Sequence, residues 1–522
     1  MSGARGHGAS GGLGSGELVL GIDIGSTTSK AGLVTLDGRL AALEEVTHTI
    51  DRPRPGWAEQ DAEAVWWADV VSLCHRLLPR AAGGRVVAVG IGTLGPCLVA
   101  ADAGGRPLRP AILYGIDTRA VTEIDELERL FGSDAILERC GSPLTSQAIG
   151  PKLAWLARHE PDVWRATRRL FTASSFLVER LTGEYVLDHH SASHWVPFYD
   201  VRANGWIEEW TAAVGLSQPL PPLRWPQEPV GVVGAAAAAA TGLPAGIPVA
   251  AGTIDSLAEI FGAGVRRPGE LLLAYGTTMF LAEVRTTARP DAHLWSPASF
   301  EAGARNLAGG TATAGALAAW VRELCGAADF TALTAAAREV PPGAGGLVTL
   351  PYFSGERTPL FDPRARGVIA GLTLSHTSAH VFRAALEGIA FAVRHNLDVM
   401  RAAGSRPVRL VASDAELKGV LWPQIVSDVT GLEQDVLEAP AAATVGAALI
   451  AAIAAGHADL ATDWSGSRVT VAPEPGSVAA YETPYRIYRE LYPATRDQQH
   501  ALADLGAASA APERDPGRSP TA

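Results

Sequence analysis

The segment GIDIGSTTSK, Gly21 to Lys30, places a glycine-hinged turn directly after an apolar strand. The preceding LVLGIDI predicts a buried strand, and AGLVTLDG after the turn predicts a second one. The glycine lets backbone N–H groups approach an anion, while the serine and threonines add hydroxyl donors. The segment therefore predicts a phosphate-holding hairpin, although an ordinary hairpin with a serine and threonine turn explains the same residues. The candidate phosphate contacts are Gly25, Ser26, Thr27, Thr28 and Lys30.

Two segments carry candidate metal ligands. Asp23 ends the first predicted strand beside the turn. A carboxylate there suits Mg²⁺, which keeps most of its hydration shell and binds largely through water. The second segment, DHHSASHW from Asp188 to Trp195, clusters three histidines and an aspartate, but no paired ligands recur elsewhere. We therefore expect Asp23 to hold magnesium and expect no dedicated metal site at the histidines.

Composition narrows the class of protein. A chain of 522 residues is long enough for two or more domains, and 47% hydrophobic with 19% charged residues is typical of a globular protein. A net charge of -12 argues against a nucleic-acid partner. The four cysteines are widely spaced without a CxxC pair, and no segment is apolar for the length of a membrane span. We expect a soluble, cytoplasmic protein without a membrane partner.

Apolar strand patterns alternate with alanine-rich helical patterns, which predicts an α/β protein. The glycine-rich residues 1–16 and the Ala- and Pro-rich residues 505–522 predict disordered tails. GAGVRRPGE, Gly262 to Glu270, interrupts the apolar pattern and predicts a domain join. The predicted domains are residues 17–264 and 265–492.

A second hairpin follows the predicted join, in LLLAYGTTMFLAEV from Leu271 to Val284. Its turn residues, Gly276, Thr277 and Thr278, repeat the glycine and hydroxyl pattern of the first. A plain hairpin explains them if they stand alone. Two such turns support each other, because a nucleotide gripped between two domains needs phosphate donors from both.

These hairpins and five further segments resemble the FGGY carbohydrate kinases, from about Leu18 to about Tyr492. The resemblance implies two ribonuclease H-like domains of the actin-like ATPase type flanking a catalytic cleft. It also implies ATP and Mg²⁺ as cofactors and a small-molecule sugar as substrate. The further segments are RPGWAEQDAEAVW (Arg54 to Trp66), PLRPAILYGIDTRA (Pro107 to Ala120), the stretch beginning FSGERTP (Phe353 to Met400), WPQIVSDVTG, and ATVGAALIAAIAAG (Ala443 to Gly456).

Asp255 lies in AGTIDSLAEIFGAGV, between a strand pattern and a helical pattern. An acidic residue at that junction is where α/β proteins bind ligands. The resemblance implies that Asp255 is the catalytic base, which accepts the proton of the sugar hydroxyl as the phosphoryl group moves. The alternative is an N-cap of the following helix.

The resemblance also points to substrate contacts at Gly95, Trp57, Asp117 and Arg119. Asp117 would accept hydrogen bonds from sugar hydroxyls, with Arg119 orienting it; a structural Asp–Arg pair and core packing of Trp57 are the alternatives. Xylulose kinases carry a GQMHG-like segment where this chain has GTLGPCL, and an asparagine where it has Ser256. Both departures weaken a xylulose assignment without touching phosphoryl transfer.

At the nucleotide end, the family's glycine-rich turn is replaced by ASDAELKG. Asp414, Ala415 and Glu416 add side chains where the backbone approaches adenine, so nucleotide affinity is in doubt. The predicted nucleotide contacts in this half are Gly310, Thr311, Gly315, Lys418 and Gly446. For Gly310, Thr311 and Gly315, close packing of a helix that begins with glycine is an equally good explanation.

The sequence thus predicts an ATP-dependent kinase of a sugar, with a pentulose such as xylulose or a related ketose or polyol as the expected substrate. Three alternatives stay open: a sugar-responsive regulator that binds ATP weakly, a kinase of a cyclitol or a biosynthetic sugar intermediate, and an actin-like chaperone or filament ATPase. The resemblance leaves a homodimer open.

Overall fold

The computed structural model describes residues 16–267, 269–286, 289–413 and 421–510. They form an α/β protein, as the alternating patterns predict. The strands are β1 Glu17–Ile24, β2 Thr28–Thr35, β3 Leu40–Thr47, β4 Glu59–Gln60, β5 Arg85–Thr93, β6 Val99–Ala101, β7 Ala111–Ile112, β8 Arg169–Phe171, β9 Leu187–Asp188, β10 Tyr199–Asp200, β11 Gly205–Trp206, β12 Leu223–Arg224, β13 Pro229–Val232, β14 Pro248–Ala250, β15 Thr253–Ile254, β16 Glu270–Tyr275, β17 Met279–Arg285, β18 Arg305–Thr311, β19 Val348–Leu350, β20 Val368–Ala370, β21 Arg409–Ser413, β22 Gln434–Leu437 and β23 Arg468–Val471.

Helices fill most of the connections, and a π-helical turn over Ala62–Trp67 leads into the first of them. No helix of the described part of the chain is both long and apolar enough to cross a membrane. The helices are α1 Ala68–Leu77, α2 Val121–Phe131, α3 Ser133–Cys140, α4 Ile149–His159, α5 Pro161–Ala166, α6 Ala173–Thr182, α7 His189–Ala192, α8 Glu208–Ala213, α9 Ala235–Thr241, α10 Asp255–Gly262, α11 Gly315–Leu324, α12 Phe330–Arg338, α13 Ser378–Ala402, α14 Leu421–Thr430, α15 Ala442–Ala454, α16 Pro475–Ala480 and α17 Glu482–Ala510.

The chain divides into two compact units. Unit 1 contains the described residues up to 267 together with Glu283–Leu307 and Leu437–Ser467. Unit 2 contains Gly269–Ala282, Ala308–Val436 and the described residues from Arg468 onward. The first change of unit lies within the predicted join, whereas the later crossings, which bring α15 into unit 1, have no counterpart in the two predicted domains.

The main sheets of the two units share one strand order. In unit 1 the order is β3-β2-β1-β5-β14, and in unit 2 it is β18-β17-β16-β21-β22. In both, an antiparallel hairpin (β1 with β2, β16 with β17) is followed by parallel neighbours (β5 and β14, β21 and β22). This repeated order is that of the ribonuclease H-like, actin-like fold that the resemblance implies.

Apolar residues on both faces bury the central strands of unit 1, as expected where helices cover both sides of parallel strands. Four consecutive residues of β5, Val86, Val87, Ala88 and Val89, are all at most 6% exposed, and successive side chains of a strand point to opposite faces. The predicted helices also form: the alanine run becomes α9, and SLAEIFGAG contributes α10. α17 continues to Ala510, into the segment predicted as a tail from residue 505, because its alanines and leucines are strong helix formers.

Helix α15 lies in backbone contact with its neighbours in unit 1. A Cβ added to Gly446 would lie 1.7 Å from the carbonyl oxygen of Ala258, and one added to Gly262 would lie 1.8 Å from that of Ala442. On the sheet side, a Cβ on Gly90 would lie 1.9 Å from the carbonyl oxygen of Ala447. Only glycine fits at these positions, so α15 is fixed against both α10 and β5.

We predict that Gly446→Ala destabilises unit 1 by about 3 kcal/mol, since an inserted methyl in a packed core costs roughly 1–3 kcal/mol and this one meets backbone. Chemical denaturation followed by circular dichroism measures the change. Gly476→Ala in α16 is the control, because nothing lies within 4 Å of an added Cβ there. Equal stability of the two variants would contradict the packing argument.

Candidate active site

The first hairpin has the predicted turn. β1 ends at Ile24, β2 begins at Thr28, and the Gly25 N–H donates to the Thr28 carbonyl over 3.0 Å. A Cβ on Gly25 would lie 2.7 Å from that same carbonyl oxygen, so the turn requires glycine. Thr27 is exposed at the tip, where its hydroxyl is available to a ligand.

Asp23 and Lys30 are cross-strand partners in the β1–β2 hairpin. Directly opposed residues of an antiparallel pair project from the same face of the sheet. The structure therefore brings the predicted magnesium ligand and the predicted phosphate-binding lysine to one face beside the turn. Both side chains are partly exposed.

Asp255 lies at the same edge of the sheet as Asp23. β1, β5 and β15 are parallel, and Gly92 of β5 is paired with Asp23 on one side and Thr253 on the other. A Cβ on Gly92 would lie 3.8 Å from the Asp255 Cα. The same Cβ would lie 3.2 Å from the Ala258 Cβ, so Gly92 allows α10 to pack on the sheet and brings Asp255 near Asp23 at the strand ends, where α/β proteins bind ligands.

Asp255 is the first residue of α10, and Ile254 is its N-cap. Its Oδ1 accepts a hydrogen bond from the next amide, Ser256 N–H, over 2.7 Å, and not from the second or third amide of the helix as an N-cap would. The N-cap alternative is therefore not what the structure shows. Burial, together with the negative charge of Asp23, raises the pKa of the Asp255 carboxyl to about 7.

The predicted sugar contacts Asp117 and Arg119 form a buried ion pair. Arg119 Nε lies 2.9 Å and 3.0 Å from the two carboxylate oxygens, and its Nη2 lies 2.7 Å from Oδ2. The Ala58 N–H donates to Oδ2 over 2.7 Å. Asp117 is 2% exposed. These contacts match the structural alternative, and a sugar contact from either side chain stays a prediction.

Trp57 packs on this pair, with the Arg119 guanidinium 3.9 Å from its ring centroid. Its edge-to-face partner is Trp155, at 5.2 Å between centroids. Gly95 lies against Tyr114, since an added Cβ would come within 3.3 Å of that ring. Sugar contact by Trp57 and Gly95 stays a prediction.

Lys152 is a charged residue near the site that sequence reasoning missed. It is 1% exposed, and its Nζ donates to the carbonyl of Ala148 over 3.2 Å. Burial lowers its pKa to about 8, an effect that the negative charge of Asp117 opposes. A lone lysine within the apolar helical pattern IGPKLAWLA was the available signal.

In unit 2, the second hairpin meets the start of α11. The N–H of Gly315 donates to the carbonyl of Gly276 over 3.1 Å, and that of Ala314 donates to Thr277 over 3.0 Å. Gly276 and Thr277 are exposed, and Thr278 begins the return toward β17. The structure thus brings three of the predicted nucleotide contacts together.

Gly310 and Thr311 lie beside this hairpin in β18. The Gly310 N–H donates to the Thr358 hydroxyl over 2.6 Å, and an added Cβ would lie 2.5 Å from the Met279 carbonyl oxygen. Thr311 is fully buried. These are packing roles, and nucleotide contact by either residue stays a prediction.

The remaining predicted nucleotide contacts are Gly446 and Lys418. Gly446 packs against α10 within unit 1, so its lack of a side chain has a structural reason, and nucleotide contact stays a prediction. Lys418 and the replacement residues Asp414, Ala415 and Glu416 lie outside the described residues.

The histidine cluster is enclosed by protein. His189 Nδ1 lies 2.9 Å from the Tyr199 hydroxyl, and His190 Nδ1 lies 2.6 Å from the Ala298 carbonyl oxygen. Burial lowers the pKa of both imidazoles to about 4 and that of His194 to about 3. Within the described ranges, no group of three or more His, Cys, Asp or Glu side chains is arranged to hold a metal ion.

Known proteins match this chain over most of its length. The model of the FGGY family of carbohydrate kinases matches residues 18–262 with its N-terminal domain and 271–455 with its C-terminal domain. The chain is 30% identical to a xylulose kinase of Escherichia coli over 80% of this chain and 86% of that one. It is 33% identical to a glycerol kinase of Nocardia farcinica over 86% of this chain and 91% of that one.

A solved structure agrees with these matches. The crystal structure of a xylulose kinase from Rhodospirillum rubrum superposes with a TM-score of 0.83 at 33% identity, covering 92% of this chain and all of that one. The chain therefore belongs to the FGGY family of carbohydrate kinases, ATP-dependent phosphotransferases whose acceptor is an alcohol group.

Proposed function

We propose that the protein transfers the terminal phosphoryl group of MgATP to a hydroxyl of a pentulose, or of a related ketose or polyol, with Asp255 as the base. The observation that carries this is the position of Asp255 across Gly92 from Asp23 at the strand ends of unit 1. Phosphoryl transfer requires mainly positioning and charge stabilisation, which such a site supplies.

Each proposed role matches the chemistry of the residue. Asp255 accepts the proton that leaves the sugar hydroxyl as its oxygen attacks the phosphorus, and no covalent enzyme intermediate forms. Asp23 is a partly exposed carboxylate beside a hydroxyl-rich turn, a donor set that fits Mg²⁺. Bound with ATP, Mg²⁺ supplies neutralising charge to the phosphates. The turn at Gly25–Thr28 donates hydrogen bonds to phosphate oxygens, and phosphate contact by the similar turn at Gly276–Thr278 stays a prediction.

The substrate is proposed as a class. A relative named xylulose kinase supports a pentulose, and one named glycerol kinase supports a polyol. The segment GTLGPCL and Ser256 depart from the xylulose kinase pattern in the half of the chain that carries Asp255. We therefore take xylulose as the first compound to test within a wider panel.

The cysteines of this protein bear on the cellular compartment in which we place it. All four cysteines are free thiols. Free thiols persist in a reducing compartment, so we place the protein in the cytoplasm. A homodimer and nucleotide contact by Lys418 remain predictions.

The direct test is ADP release with MgATP across pentuloses, hexuloses, polyols, sugar acids and cyclitols. We expect turnover with one class, and we expect Asp255→Asn to lower kcat by about 10²- to 10⁴-fold because the base is lost. ATP hydrolysis without any sugar would favour the filament ATPase, and sugar binding without turnover would favour the regulator. Full activity of Asp255→Asn would remove Asp255 from the mechanism.

The pH dependence of the kinase activity should report the ionisation of Asp255. Since the pKa of Asp255 is raised to about 7, the ionised form needed to accept a proton is depleted below that pH. We expect kcat/KM for the sugar to fall about tenfold per pH unit on the acid side. A profile that stays flat from pH 8 to well below 6 would contradict this assignment.

The ionised Asp255 carboxylate should lower the stability of the folded protein. Asp255 has a pKa of about 7 in the folded protein against 3.8 as the reference value, so its contribution to stability is present at low pH and lost as pH rises through 7. We expect Asp255→Asn to melt at a higher temperature than the parent at pH 8, with the difference shrinking toward pH 5. Thermal melts at both pH values measure this.

Asp497→Asn is the matched control, since that side chain is 83% exposed and its replacement also removes one negative charge. A stabilisation of equal size in both variants would assign the effect to net charge instead of the site.

A further inference from the structure

Two side chains outside the first hairpin bind consecutive carbonyl groups of its turn. His48, just after β3, has its Nε2 3.2 Å from the Gly25 carbonyl oxygen. Gln60, in β4, donates from Nε2 to the Ser26 carbonyl over 2.9 Å. The turn is therefore held on its carbonyl side by two separate parts of unit 1.

The amide of Gln60 has a defined orientation. The indole N–H of Trp66, which is only a donor, lies 3.0 Å from Gln60 Oε1. Gln60 Nε2 must then face its carbonyl partners, Ser26 and Thr49, at 2.9 Å and 3.0 Å. Gln60 is 1% exposed. Its nitrogen therefore acts as a fixed donor to the turn.

His48 is itself held by a hydrogen-bonded carboxylate, that of Asp69. Its Nδ1 lies 2.8 Å from Asp69 Oδ2, and the Ser29 hydroxyl donates to the same oxygen over 2.6 Å. The side chains of His48 and Asp69 are 7% and 11% exposed. The Asp69 carboxylate at Nδ1 and the Gly25 carbonyl at Nε2 hold the ring from its two nitrogen atoms. The imidazole is thus fixed in plane and aimed at Gly25.

Because the peptide group is planar, these contacts to the carbonyl groups also set the direction of the neighbouring N–H groups. In a planar trans peptide the C=O and the following N–H point in opposite directions. The Gly25 carbonyl shares its plane with the Ser26 N–H, and the Ser26 carbonyl shares its plane with the Thr27 N–H. A side chain that fixes one of these carbonyls therefore also fixes the N–H of the same peptide, which points away from that side chain.

We propose that His48 and Gln60 are positioning residues that hold the Gly25–Thr27 peptides so that the N–H groups of Ser26 and Thr27 face the nucleotide phosphates. The inference rests on the proposed function and adds to it the side chains that preorganise the turn. Buried polar groups are costly unless their hydrogen bonds are complete, and here those bonds converge on two adjacent peptides. Preorganised N–H groups bind an anion without the cost of ordering the turn.

Gln60→Glu is the sharpest test, because it keeps the shape and the acceptor for Trp66 while removing the donor to Ser26. We expect MgADP affinity, measured by calorimetry, to fall about tenfold, the scale of one net hydrogen bond to a buried acceptor. KM for MgATP should rise by a similar factor while KM for the sugar is unchanged. His48→Ala should show the same pattern.

Gln227→Glu is the matched control, since Gln227 is partly buried in unit 1 and donates to the Phe300 carbonyl over 2.9 Å. It should leave MgADP affinity unchanged. Unchanged affinity in folded Gln60→Glu and His48→Ala, with only a lower melting temperature, would overturn the inference in favour of a structural role. If Gln60→Glu does not fold, His48→Ala decides by the same criterion.

The parent protein separates the two proposals. Parent protein that binds MgADP and phosphorylates a sugar, with variants of unchanged affinity, overturns only the positioning roles. Parent protein that neither binds MgADP nor turns over overturns the proposed function and this inference with it.

Discussion

Parallel pairing of β5 with both β1 and β15 is the constraint on which the active site of this protein depends. It aligns the carboxyl ends of three strands, so that Asp23 and Asp255 lie on either side of Gly92 although 231 positions separate them in sequence. The absence of a side chain at Gly92 lets α10 pack closely on β5, since an added Cβ would lie 3.2 Å from the Ala258 Cβ. A one-residue shift in the pairing of β1 with β5 would turn Asp23 to the other face of the sheet.

Close backbone contact maintains that arrangement. α15 approaches β1 and β5 through Gly21 and Gly90, and it approaches α10 through Gly262 and Gly446. α10 begins at Asp255, so a helix from a distant part of the chain fixes the helix that carries the proposed base. The glycines in ATVGAALIAAIAAG and FGAG thus help to fix the position of Asp255 through packing.

Asp255 and Lys152 are ionisable residues at positions where burial disfavours the charged form of the side chain. The raised pKa of Asp255 and the lowered pKa of Lys152 both arise chiefly from loss of solvent, and neither residue is compensated in full by its neighbours. The Asp117–Arg119 pair shows the opposite case, since each charge meets several partners. Perturbed pKa values of this kind are more frequent at functional sites than elsewhere in proteins.

Sequence alone determined the two hairpins, the α/β class, the family and the position of Asp255 at a strand-to-helix junction. These depend on local periodicity, turn chemistry and motifs that lie within short segments. Tertiary structure decided that Asp117 and Arg119 bind each other, that Gly446 packs against α10, and that His48 and Gln60 hold the first turn. Asp117 and Arg119 are only two positions apart, and the sequence left open whether they bind each other or a sugar. The other contacts join residues tens to hundreds of positions apart, and no local pattern specifies which distant groups a fold brings together.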